Sequence, residues 1–100
     1  MQNYYILTEE TKINTFGIKL YRIKCTRAFQ DIKVGDLGGW ISQDAEVSGN
    51  AWIYEDAEVS GNAKVYGNAK VFGNAKVYGK AKVYGNATVS GDSEVSLILN

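Results

Sequence analysis

From position 41 onward an aliphatic residue returns at every sixth place without a slip: Ile41, Val47, Ile53, Val59, Val65, Val71, Val77, Val83, Val89 and Val95. A small residue keeps the same interval at Ala45, Ala51, Ala57, Ala63, Ala69, Ala75, Ala81, Ala87 and Ser93. Within each unit the small and aliphatic residues lie two apart, so on an extended chain they share a face and the residue between them points outward. A helix would scatter a six-residue period around its surface, which excludes a helical reading. Gly-Asn pairs such as Gly61-Asn62 and Gly67-Asn68 follow the strands and tolerate positive φ, marking turns. Short strands joined by sharp turns, with Val stacking on Val and Ala on Ala, predict a parallel β-helix.

The outward positions indicate how many units close one turn. Stacking residues 18 apart sets Glu46 against Lys64, Glu58 against Lys76 and Lys76 against Glu94, with one like pair, Lys64 and Lys82. Stacking residues 12 apart gives more repulsion than attraction. Cross-strand pairs contribute about 0.2–1 kcal/mol each, so three units per coil are favoured. The expected fold is all-β: a short three-sided parallel β-helix of about three 18-residue coils behind a small N-terminal β-strand cap.

Residues 1–40 do not repeat and form the expected cap segment, with strands over 4–7 and 18–26 and a turn at Phe16-Gly17. Such a segment covers apolar residues and strand edges that a terminal coil would expose. Residues 41–100 form the solenoid with an apolar tail, Leu97, Ile98 and Leu99. We expect this tail to bury in a self-association interface, most simply a two-fold homodimer; folding back over the last coil is the alternative.

The Val-x-Gly-Asn-Ala-x units resemble the left-handed β-helix of hexapeptide-repeat proteins, which implies a left-handed coil. One departure is that the residue after the aliphatic is Ser, Tyr or Phe, where that family usually has Gly, Ala, Asp or Glu. Tyr21-Arg22-Ile23, Ala28-Phe29 and the run Gly35-Asp36-Leu37-Gly38-Gly39-Trp40-Ile41 ahead of the repeats are similar to small phage and prophage proteins of Gram-positive bacteria, commonly labelled polymer-forming or hexapeptide-repeat proteins.

Many hexapeptide-repeat proteins are acyltransferases with a histidine base and a coenzyme A site, but this chain contains no histidine. The carboxylates fall in repeat register and form no convergent acid/base couple. No Cys/His metal set and no phosphate-cradling loop occurs, so no enzyme activity, cofactor or metal is expected. An Asp56/Asn74/Asp92 column follows from 18-residue coils and reads as a turn ladder. The one cysteine, Cys25, reads as a buried small hydrophobe. The start lacks a basic n-region and no apolar run reaches membrane-span length, so neither secretion nor membrane insertion is expected. The phage-like resemblance implies a location in the cytoplasm of a bacterial host cell.

Eleven basic and eleven acidic residues cancel, which argues against a general nucleic-acid binder. The charges are zoned: residues 41–60 carry five acids and no base, and residues 61–90 carry five lysines and no acid. Two outward sets stand out, the aromatics Tyr54, Tyr66, Phe72, Tyr78 and Tyr84, and the lysines Lys64, Lys70, Lys76 and Lys82. Stacked aromatics can serve only to join coils, and lysines only to solubilise them and blunt edges. Together they also suit a partner-binding surface. The phage-like resemblance implies an inhibitor that docks on a host protein, such as a component of a CRISPR or other defence system. Two other readings are a sponge for a signalling nucleotide and a self-assembling scaffold joining acidic to basic zones.

Overall fold

The computed structural model describes residues 5–29, 32–96 and the backbone of 98–99. The front of the chain forms β1 (Tyr5–Ile13), β2 (Lys19–Cys25) and β3 (Leu37–Ile41). Two-residue strands follow at every hexad: β4 (Glu46–Val47), β5 (Trp52–Ile53), β6 (Glu58–Val59), β7 (Lys64–Val65), β8 (Lys70–Val71), β9 (Lys76–Val77), β10 (Lys82–Val83), β11 (Thr88–Val89) and β12 (Glu94–Val95). The chain closes on β13 (Ile98–Leu99).

Three sheets form the sides of a prism, with strand orders β1-β2-β3-β6-β9-β12, β13-β10-β7-β4 and β11-β8-β5. We call them the first, second and third faces. Within the repeat every pairing is parallel and offset by 18 residues, as in Ile41↔Val59, Val47↔Val65 and Ile53↔Val71. The three-sided architecture with about three coils is therefore the one expected from the outward charges. Glu46, Glu58 and Glu94 do lie beside Lys64 or Lys76 in register. None of these neighbours closes to an ion pair among the described residues; Glu58 bonds Lys12 instead, at 3.0 Å.

The inward Val, Ile and Ala columns are buried as far as Val89 and merge into one core cluster, against which the half-buried Val95 packs. Each buried aliphatic side chain contributes roughly 1.5–3 kcal/mol gross, which is what makes the strict hexad spacing a folding instruction. The turns work because glycine reaches positive φ. At Gly67, φ is 72° and an added Cβ would sit 2.8 Å from the Gly85 nitrogen, so both conformation and stacking forbid a side chain.

The front segment differs in detail from its expected form. The first strand runs on to Ile13, past the expected end at residue 7. A register shift between Leu7 and Thr11 absorbs the polar stretch within β1. Gly17 turns the hairpin at φ 79°, where the turn was expected. Strand β2 pairs antiparallel with β3, and β3 pairs parallel with β6, so the front segment and the repeat share one six-stranded sheet. Gly38 and Gly39 permit this junction: a Cβ on Gly39 would lie 2.6 Å from the Ala57 carbonyl oxygen.

Ile23, Cys25 and Ile32 close the core at this end, and the Cys25 thiol donates to the Arg27 carbonyl at 3.1 Å. The segment also reaches along the sides. Trp40, Trp52 and Glu58 occupy outward positions yet are buried. Lys12 and Arg22 lie over the Trp40 ring, at 4.6 and 5.1 Å from its centroid, and Phe29 meets Trp52 edge-on at 5.6 Å. At the hairpin tip, Phe16 packs on Tyr78 with centroids 5.6 Å apart.

At the other end, β13 pairs with β10 at an offset of 16, Lys82↔Ile98 and Val83↔Leu99, so the tail backbone extends the second face. Leu97 lies outside the described residues, and the side chains of Ile98 and Leu99 are not described.

Candidate partner-binding surface

The outward residue of each hexad precedes the aliphatic, and the aromatic or serine follows it at the corner leading to the next face. With 18-residue coils, residues three hexads apart share a face or a corner. The lysines and aromatics singled out by sequence are therefore divided among three sides of the prism.

On the first face, Lys76 stands half-buried between Glu58 and Glu94. Tyr78 follows it at the corner and is engaged by Phe16. On the second face, Lys64 and Lys82 are register neighbours, both exposed, with Glu46 beyond Lys64. Their corner carries Tyr66 and Tyr84, stacked with centroids 5.1 Å apart and planes 6° from parallel. On the third face, Lys70 stands exposed between Trp52 and Thr88. The corner there carries Tyr54 and Phe72, edge to face at 6.3 Å and 88°.

Two local groupings result. One joins Lys64, Lys82, Tyr66 and Tyr84 on the second face and its corner. The other joins Lys70, Tyr54 and Phe72 with Glu55 around a shallow cavity of about 280 Å³. Glu55 is the one non-glycine residue with positive φ among the described residues, at 57°. Its conformation costs on the order of 1–2 kcal/mol for an L side chain. Its carboxylate accepts a hydrogen bond from the Gly73 N–H at 2.9 Å, which offsets part of that cost. The sequence did signal this position, since Glu55-Asp56 stands where the units after Ala45 otherwise have Gly and a polar residue.

A larger hollow of about 500 Å³ lies beside the first coil, lined by Tyr5, Leu7, Ile41, Gln43 and Glu46 among others. No pattern in the sequence marks it, because nothing in residues 1–40 repeats. Tyr5 is its most constrained group: its hydroxyl accepts the Val47 N–H at 3.4 Å. Burial pushes the Tyr5 pKa above its ordinary 10.0, and the Glu46 charge adds to the rise against the lowering by the Val47 bond. These surfaces offer rings, ammonium groups and amides in fixed register. That arrangement suits recognition of another molecule.

Comparison with known families agrees with the coil geometry. A family model described as the YdcK beta solenoid repeat matches residues 81–96, within the last coil. No curated protein matches the chain. The chain is a β-solenoid repeat protein, a fold that is typically structural or binding rather than catalytic.

Proposed function

We propose that this is a non-enzymatic binding protein, phage-encoded, that inhibits a host defence system by docking on a host protein, in the manner of an anti-CRISPR inhibitor. The observation that carries the binding part is the half-buried aromatic pairs at the corners beside the exposed Lys64, Lys70 and Lys82, held in register over buried interior valines. Rigid aromatic anchors beside cations are what protein hot spots use, because they lose little conformational entropy on docking. The defence-system target rests on the phage-like resemblance, and a location in the host cytoplasm goes with that proposal. A homodimer built on Leu97, Ile98 and Leu99 is part of this proposal, tested by light scattering at micromolar concentration; a clean monomer removes it and leaves the intrachain pairing of β13 with β10 as the tail's role.

The docking reading is tested by pull-down from host lysate, repeated with Lys70→Glu and Phe72→Ala. Retention of a defined host protein by the wild type, lost in both variants, is the expected result. The same partner held equally by all three chains overturns the assignment of these residues.

The cavity at Tyr54, Glu55, Lys70 and Phe72 favours a second reading, a sponge for a signalling nucleotide, with Lys70 toward phosphate and Phe72 against a base. Thermal-shift screening against cyclic nucleotides separates the two, since a ligand at 100 times its Kd adds about 2.7 kcal/mol.

A further inference from the structure

The geometry points to the corner between the second and third faces as the docking ridge, and to an acidic helical segment of a partner protein as its occupant. The inference rests on the docking reading above and adds a contact at a second corner, apart from the one that carries Phe72, with its chemistry.

This corner displays hydrogen-bond donors. Lys64 and Lys82 are stacked in register, and neither forms an ion pair among the described residues. Like charges set directly opposite destabilise a sheet. The arrangement therefore opposes folding, and the one acid on its own face among the described residues, Glu46, lies next to Lys64 and not to Lys82. Tyr66 and Tyr84 stand at the corner beside them. An amide ladder runs along the same edge: the Asn50 Nδ2 donates to Asn68 Oδ1 at 3.3 Å, and Asn68 Nδ2 donates to Asn86 Oδ1 at 3.4 Å. From residue 64 to 70, and again from 82 to 88, no acidic side chain interrupts the set.

The ring geometry selects the class of anion. Tyr66 and Tyr84 lie nearly parallel and spend their inner faces on each other. They do not form open platforms on which successive bases could stack, the usual mode of single-strand binding. The acidic turns after the third face, with Glu55, Asp56 and Asp92, would repel a polyanion that continued around the prism. A short run of carboxylates meets neither obstacle. Coils repeat at about 4.8 Å, the strand spacing. Side chains on successive turns of a helix lie about 5–6 Å apart, so two glutamates at that interval address Lys64 and Lys82 together.

The test uses fluorescence anisotropy with a labelled helical peptide bearing glutamate at every fourth position, and an oligothymidylate of equal charge as the second probe. The peptide is expected to bind, more weakly as salt rises. Lys64→Gln with Lys82→Gln should weaken it about tenfold, and Tyr66→Phe with Tyr84→Phe about threefold. Lys76→Gln on the first face should change it less than about twofold. Lys82→Gln supplies an independent readout: it relieves repulsion without touching the Glu46–Lys64 neighbours, so Tm should rise by about 1–5 °C while peptide affinity falls. Absence of peptide binding, an equal loss with Lys76→Gln, or tighter binding of the oligonucleotide overturns the ridge. In the lysate pull-down, a partner retained by the Lys64→Gln/Lys82→Gln protein but lost with Phe72→Ala sinks the ridge and leaves docking intact. Peptide binding without capture of any host protein sinks the docking reading and leaves the ridge.

Discussion

Trp52 and Lys70 occupy the same outward position one coil apart on the third face, yet Trp52 is buried and Lys70 is exposed. The same contrast holds on the first face, where Trp40 and Glu58 are buried while Glu94 at the far end is exposed. The inward aliphatics beside Trp40, Trp52, Glu58 and Lys70 are buried alike, while Val95 beside Glu94 at the far end is half-buried. The difference is the front segment, which lays Lys12, Arg22 and Phe29 against the outward side chains of the first coils. The same hexad thus carries two kinds of outward residue: those that join the solenoid to its cap, and those left facing solvent further along.

The comparison is sharpest at Trp52. Trp52→Ala should cost about 3–5 kcal/mol in urea denaturation, because it empties a buried site against Phe29. Phe72→Ala, at a half-buried corner one coil further on, should cost no more than about 1.5 kcal/mol. Equal costs would erase the distinction between wrapped and open coils. Gly39→Ala should cost about 2–4 kcal/mol, since its Cβ would press on the Ala57 carbonyl at the junction of cap and repeat. Lys12→Ala leaves the buried Glu58 carboxylate without its partner and should cost about 1–3 kcal/mol, with protection of the first coils lost first in hydrogen exchange.

The smallest effect concerns Tyr5. Its folded pKa is raised, so above pH 10.0 the unfolded chain gives up a proton that the folded chain still holds. Stability from this group is constant below that pH and falls as pH rises toward the folded value. Tyr5→Phe should flatten that part of the alkaline slope in paired denaturation curves; an unchanged slope would assign it wholly to other groups.

Much of this architecture was legible in the chain. Ten aliphatics spaced by six require a coiled strand stack, and the outward charges distinguished 18-residue from 12-residue coils. The identity of the ion pair at Glu58 was not legible, because Lys12 lies in the non-repeating segment and reaches Glu58 only through the curl of the hairpin. The candidate surface was legible in residue type but not in grouping. Tyr66 and Phe72 are neighbours in the repeat, yet the structure turns them onto different corners, pairing Tyr66 with Tyr84 and Phe72 with Tyr54.

The period of the sequence alone determined which atoms lie inside, because burial of apolar area depends only on alternation along each short strand and on the turn that follows. Only the tertiary structure decided which outward atoms meet water. That outcome depends on where an aperiodic segment folds against the wall, through contacts between residues far apart in the chain that no local pattern encodes.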